Sequence, residues 1–493
     1  MISLAQKVSK GVSWLALAQV AQRGTALVIT AILARKLMPG DFGLIALTLV
    51  VVNFLAYFQD MGLSAALVQR TDVKDDHLST TFWLNVGTGL VLAVIGSGLS
   101  PLVARIFNEP RLSKLLMVVM ISMVLNGFGW TSHALLQRRL AFGQIAVVEW
   151  AATALSGLLA ITLAALGAGV WALVAQNIAS AFVTSCGRLL AAQWLPDLEF
   201  SIQRAKELFN FSSGVLGYSV VNHGMRNVDN IIIGAALGTT ALGYYSLAYN
   251  LILMPGMTIC GLVGRVMFPA LSSVQNDLAR FRRAYLRMAR TVASITFPLI
   301  LGLGATAPLF IRTVYGERWS PAIPIVQILI AVGFFEAIAF WGVAAWALGK
   351  TQMTLVFAIF SLIGMAIAFA IGVRWGLTGV SWAYVMLSPI IFLLPHFWTN
   401  RLMQLRFSVF LRAIGPPLVA AGVMATIIVA ITSRGIVLSA SNWMNLVGYV
   451  LLGAAVYALV LLLIAVFDPR RKRILSWLLG SEVAEEQPEG VSV

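Results

Sequence analysis

Residues 352–373 read QMTLVFAIFSLIGMAIAFAIGV, without a single charged side chain. A helix needs about 20 apolar residues to cross the ~30 Å hydrocarbon layer of a bilayer, so this stretch by itself specifies a transmembrane helix. It is apolar on nearly every side, which excludes the period-two alternation of a membrane barrel strand. Similar runs occupy about 12–35, 41–60, 79–104, 113–136, 142–166, 169–192, 208–236, 241–265, 288–312, 322–348, 378–399, 412–432 and 444–467. The expected fold is an all-α integral membrane protein of about fourteen transmembrane helices, with no soluble domain between them.

Composition agrees with that reading. Of 493 residues, 59% are hydrophobic and 11% charged, and the mean hydropathy of +0.89 lies beyond soluble globular domains. A net charge of +15 would suggest nucleic acid in a soluble protein. Here the basic residues are read first as topology signals and lipid contacts, and nucleic acid is set aside. Cys186 and Cys260 both lie in apolar runs, so neither a disulfide framework nor a zinc site is expected. No cofactor is expected. Lys7 and Lys10 precede the first run, yet that run is long, contains Gln19, Gln22 and Arg23, and lacks a small-residue cleavage site. It reads as a retained first helix.

Fourteen spans put both ends on one side, and the Lys and Arg residues decide which. The N-terminus and its equivalent loops hold Lys7, Lys10, Arg138, Arg139, Arg204, Lys206, Lys350, Arg401, Arg406 and the basic clusters near 280–290 and 470–473. The opposite side holds far fewer, including Arg35, Lys36, Arg111, Lys114 and Arg318. This bias places both termini in the cytoplasm, in the bacterial inner membrane. The stretch Gln275–Arg290, with five arginines, is expected to lie on anionic membrane lipid. Arg470-Arg471-Lys472-Arg473, followed by Ile474, Leu475, Trp477, Leu478 and Leu479, reads as interfacial, and the tail beyond Gly480 as polar and unstructured.

An internal repeat is also visible. Gly11-Val12 stands twelve residues before Arg23, and Gly214-Val215 twelve before Arg226. Each arginine is followed by an apolar half-helix, a short turn and a glycine-aromatic start, Asp41-Phe42-Gly43 and Gly243-Tyr244-Tyr245. Six helices per unit is an even number, so the units share orientation and pair about an axis along the membrane normal. The expected division is 1–205 and 206–405 as six-helix lobes, 406–469 as helices 13 and 14, and 470–493 as a cytoplasmic tail.

Polar residues inside the spans are the candidate machinery. An arginine at mid-helix costs about 2.5–3.5 kcal/mol on insertion scales, so it should face a cavity or a partner. Arg23 has Gln19 one turn before it, and Asn222, Arg226 and Asp229 form a stripe on one helix face. Two guanidinium groups offer the bidentate donors a diphosphate wants. The alternative for Arg226 is a structural ion pair with Asp229. Asp60, Glu149 and Glu336 are candidate ion-coupling acids or helix-bridging groups. Enzyme motifs are poor. Gly349-Lys350-Thr351 imitates the end of a phosphate loop, but Ala344 replaces the leading glycine and no strand precedes it.

Leu37-Met38-Pro39-Gly40-Asp41-Phe42-Gly43, Gly62-Leu63, Leu135-Leu136-Gln137-Arg138, Gly169-Val170-Trp171-Ala172-Leu173-Val174, Phe268-Pro269-Ala270-Leu271 and Tyr315-Gly316-Glu317-Arg318-Trp319 together resemble the polysaccharide exporters of the Wzx type, near the colanic acid exporter branch. The resemblance covers about 1–405. It implies two lobes around a central cavity, in the superfamily that also holds MATE drug exporters and lipid II flippases. The implied activity is export of undecaprenyl-diphosphate-linked oligosaccharide from the cytoplasmic to the periplasmic leaflet by alternating access, for exopolysaccharide or lipopolysaccharide biosynthesis. Polymerase and export proteins of the same pathway are the implied partners. Lipid II flippases use arginines on helices 1, 2 and 8. Arg23 and Arg265 sit on helices 1 and 8 here, and helix 2 has none in the membrane, so Arg226 is the candidate substitute. The alternatives are a MATE-like drug or cation antiporter, which would favour acids in the cavity, and a membrane glycosyltransferase or polymerase, which would need a substantial outer loop.

Overall fold

The computed structural model describes residues 4–69, 73–436 and 439–467, apart from the side chains of 4–17, 65, 204–216, 218, 219, 254, 265, 351 and 467. The interfacial 470–473 segment and the tail expected from sequence lie outside these residues. The helices are α1 Leu4–Lys36, α2 Pro39–Asp60, α3 Leu63–Gln69, α4 Asp75–Ile106, α5 Pro110–Val119, α6 Ile121–Arg138, α7 Phe142–Ala165, α8 Trp171–Ala192, α9 Ile202–Ser273, α10 Leu278–Val314, α11 Ile323–Ala337, α12 Trp341–Ala347, α13 Thr351–Gly372, α14 Gly376–Leu402, α15 Phe407–Ser433 and α16 Asn442–Phe467. No strand occurs among the described residues.

Among the described residues, ten stretches are long and apolar enough to cross a membrane, or up to eleven with the bent pair Pro255–Gly264 and Val266–Ser273. The expected count of fourteen is not reached by that criterion. Two of the ten fold back on themselves, however. In α9, Gly238 takes φ 83° and ψ 177°, a conformation open to a residue without Cβ. Asp229 and Tyr245 flank this point. On a straight helix sixteen residues would separate them by about 24 Å, yet the Tyr245 hydroxyl donates to Asp229 at 2.9 Å. The chain therefore reverses at Gly238. Phe369 of α13 and Tyr384 of α14 likewise meet at 5.4 Å, against about 22 Å on a straight helix. The stretch Gln352–Leu402 is thus two antiparallel helices.

By contact the chain forms two compact units. The first holds Met1–Leu251, Ile311–Val332 and Leu348–Pro395, the second Ile252–Phe310, Gly333–Ala347 and His396–Val493. In the first, α1 packs on α7 and α6 on α8. A buried cluster of Leu63, Leu67, Leu78, Leu135, Leu136 and Ile145 closes one end. There Arg138 donates to the Leu67 carbonyl at 2.9 Å and Arg139 to that of Ala192 at 2.7 Å, which satisfies helix C-termini that have no further backbone partner. Gln59 is fully buried and donates to the carbonyls of Asn85 at 3.2 Å and Met123 at 2.7 Å. That one amide ties α2 to α4 and α6, the interhelical polar link that a bundle in lipid favours. In the second unit, α10 buries Phe281, Tyr285, Met288 and Phe297. The Phe297 ring stacks on Phe334 at 4.6 Å, and the Tyr285 hydroxyl meets His396 Nδ1 at 3.2 Å.

Candidate functional site

Arg23 stands exposed on α1, with no hydrogen bond or ion pair among the described residues. Its neighbour Gln22 does the anchoring. The Gln22 amide reaches the Glu149 carbonyl at 3.5 Å and the Thr153 hydroxyl at 3.2 Å, while Trp150 donates to Thr25 at 3.2 Å. One face of α1 is therefore fixed to α7, and Arg23 is left on the other. Gln19 is half-buried on the same helix.

The second arginine belongs to a longer polar stripe. Arg226 is exposed and donates through Nε to Asn222 Oδ1 at 3.2 Å. Beside them His223 meets the Val50 carbonyl at 3.1 Å, Asn227 donates to the His223 carbonyl at 3.0 Å, and Asn230 to Asn227 Oδ1 at 3.3 Å. Asp229 is 1% exposed. It accepts from Tyr245 at 2.9 Å and from the Asn230 backbone N–H at 2.8 Å. Its carboxylate is thus held by the hairpin partner helix, and Arg226 is held by Asn222.

The acids separate by environment. Asp60 accepts from the backbone and hydroxyl of Ser64, so it caps α3 as aspartates do at helix starts. Glu149 lies 3.5 Å from Arg188 of α8, the two side chains 32% and 15% exposed. Arg188 lies inside the last turns of α8. Glu336 is half-buried on α11, and its carbonyl and that of Ala337 face the Cys260 thiol. Arg265 falls on α9, and its side chain lies outside the described ones. His133 bonds Gln137 at 3.0 Å, along its own helix rather than across to a neighbour. No group of three metal-ligating side chains occurs among the described residues.

Two motifs far apart in sequence meet at one end of the first unit. Trp319 is fully buried, donates to the Ala34 carbonyl at 2.9 Å, and touches Phe42 at 5.2 Å and Tyr244 at 6.0 Å. Arg35 donates to the Val314 carbonyl at 3.0 Å and to that of Thr313, capping α10 with charge of the favourable sign. Here α2 and the second half of α9 meet backbone to backbone. A Cβ on Gly43 would stand 1.7 Å from the Thr239 oxygen, and one on Gly243 1.9 Å from the Pro39 oxygen. The contact is reciprocal between the two glycine-aromatic starts, the pattern of a two-fold interface. Nearby, Arg111 donates to both Glu109 oxygens, at 2.9 and 3.3 Å. These bonds hold the Glu109 carboxyl below the usual carboxylate range. A depressed value contributes stability that is present above the ordinary carboxylate pKa and lost as pH falls through the folded one. Thermal melts between pH 7 and pH 3 should therefore show a smaller acid-induced loss in Glu109→Gln than in the parent.

The pattern of the polysaccharide biosynthesis protein family matches residues 32–324. The chain is 29% identical over 409 residues to the lipopolysaccharide biosynthesis protein WzxC of Escherichia coli (strain K12), covering 80% of this chain and 82% of that one. It is 30% identical over 325 residues to the succinoglycan biosynthesis transport protein ExoT of Rhizobium meliloti (strain 1021), covering 66% of each. In structure it resembles the lipid II flippase MurJ in an inward closed conformation, with a TM-score of 0.74 at 16% identity over 94% of this chain and 99% of that one. The common ground with MurJ is the fold.

Proposed function

Since the chain belongs to the polysaccharide biosynthesis protein family, we propose that it is a multi-pass flippase carrying a polyprenyl-diphosphate-linked oligosaccharide outward across the bacterial inner membrane. The observation that carries this reading is the pair Arg23 and Arg226. Each is exposed on a helix of an apolar bundle, where a guanidinium persists only beside a cavity or a partner. Both occupy matching places in the repeat, and their guanidinium forks suit the anionic oxygens of a diphosphate. The lobes 1–205 and 206–405 rock about the repeat axis, with 406–469 as accessory helices and both termini in the cytoplasm. Asp229, Glu149 and Glu336 serve as structural pairing or ion-coupling groups within these lobes, and no reaction is catalysed.

Nucleotide is not needed for the drive. Two negative charges moving outward across an inside-negative membrane gain about 4.6 kcal/mol per 100 mV, at ~2.3 per charge. Purified protein in vesicles should move a labelled diphosphate-linked glycan when a potential is imposed without ATP. Movement that stops on removing ATP, with the potential clamped, overturns this drive. Absence of any movement with several glycans, alongside export of cationic dyes, would favour the antiporter reading instead.

Orientation is tested separately. Reporter fusions after Gly40, Gly238 and Gly316 should read periplasmic, and those after Ser201 and Arg280 cytoplasmic. A cytoplasmic signal from Gly238 would contradict the hairpin at that glycine.

A further inference from the structure

We propose that the arginines at the starts of α10 and α15 and the end of α14 form one preorganised surface that binds phosphate-bearing headgroups of anionic phospholipid. α10 has 37 residues, about 55 Å at 1.5 Å per residue, so it exceeds the ~30 Å hydrocarbon layer by several turns. Its excess carries Arg280, Arg282, Arg283, Arg287 and Arg290. Phe281, Tyr285, Met288 and Ala289 face inward, fully or almost fully buried, while Arg280, Arg283 and Arg287 are exposed.

A second element joins this row. Arg282 Nη1 donates to the Gln404 carbonyl at 3.2 Å, and Arg290 Nε to that of Ala413 at 3.4 Å. Tyr285 is fixed at 3.2 Å to His396. The 401–413 turn, with exposed Arg401, Arg406 and Arg412, is thereby held against the arginine face of α10.

Charge makes this surface a match for anions. Neither 278–314 nor 396–467 contains an Asp or Glu. Asp277 and Asp468 are the adjoining acids in sequence, and Asp277 accepts from the Ala279 and Arg280 backbone N–H groups at 3.0 Å each and pairs with the Arg280 side chain at 3.3 Å. Like charges three and four residues apart repel, as at 283, 287 and 290, and cations at a helix start oppose its dipole. Along α10, Arg280 to Arg290 spans about 15 Å from the edge of the apolar stretch, which reaches through the headgroup layer. Phosphodiester headgroups there bring negative charge to the exposed Arg283, Arg287 and Arg406, and guanidinium binds them bidentately.

This rests on the membrane orientation proposed above, and flipping in purely zwitterionic vesicles reports on that reading independently. The test uses the full chain in phosphatidylcholine vesicles containing phosphatidylglycerol with a photoreactive headgroup. Label should concentrate in peptides 278–290 and 401–413. In Arg283→Gln/Arg287→Gln/Arg406→Gln it should fall there by roughly 100-fold, at about fivefold per surface arginine, with unchanged circular dichroism and melting. Unchanged labelling in the triple variant overturns the proposal. So does loss of label on adding soluble pyrophosphate at constant ionic strength, which would make the surface a diphosphate site. If the label is spread evenly over the protein and an acidic peptide protects these arginines, the partner is a protein.

Discussion

Changing Arg23 and Arg226 together to alanine should abolish glycan transport while leaving the protein inserted and folded. Gln22, not Arg23, bonds α1 to α7, and Arg226 bonds Asn222 one turn back along its own helix. Removing an exposed arginine from a membrane helix also removes an insertion cost of about 2.5–3.5 kcal/mol, so yield should hold or rise. Lysine at both positions should restore part of the activity, because it keeps the charge and loses the planar fork. Asp229→Asn and Tyr245→Phe give the contrast. Their bond is buried, and leaving one member unpaired costs about 1–3 kcal/mol, so these variants should melt earlier. Binding of labelled lipid-linked glycan is measured beside folded yield. Parental binding by the folded double alanine variant would remove the arginines from the site.

The second large effect is expected at the reciprocal glycine contact. Gly43→Ala and Gly243→Ala each place a methyl group 1.7 or 1.9 Å from a backbone oxygen. A carbonyl cannot rotate away as a flexible side chain can, so α2 and α9 must separate, at about 1–3 kcal/mol for overpacking. Gly98→Ala, where nothing lies within 4 Å, should leave stability equal or slightly raised, by about 0.5–1 kcal/mol from helix propensity. Both glycines serve one interface, so the double variant should cost less than the two single losses combined. Melting curves of the four proteins decide this. Additive losses would mean that the contacts act separately.

Much of the fold could be read from sequence because lipid imposes a length on every apolar run. The helices on each side of Gly238 and of Gly376 follow the expected 208–236, 241–265, 352–373 and 378–399 closely. The divisions of 113–136 into α5 and α6, and of 322–348 into α11 and α12, left no comparable mark, since an apolar run reads the same whether straight or broken. The site was legible in part. Arg23, Asn222, Arg226 and Asp229 stood out because charge within apolar surroundings is costly. Which partner each one takes depends on how helices face one another. Hence the Asp229 bond to Tyr245, the Glu149 approach to Arg188 and the burial of Gln59 emerged only in three dimensions. Asp60, close to a helix end, turned out to be a cap for α3, a role that Ser64 four residues later could have signalled.

The hairpin at Gly238 also bears on how the chain enters the bilayer during synthesis. Asp229 alone, at the middle of an emerging helix, resists leaving water by about 2.5–3.5 kcal/mol on insertion scales, and the Tyr245 hydroxyl adds its own reluctance. Bonded to each other at 2.9 Å, they satisfy one another without water. The first half of α9 should therefore wait in the translocation channel until the second half has been made, and the two should pass into lipid as a single unit. With a ribosome stalled before Tyr245 has emerged, a crosslinker in the first half should reach the translocation channel, and with one stalled beyond Ser273 it should reach lipid.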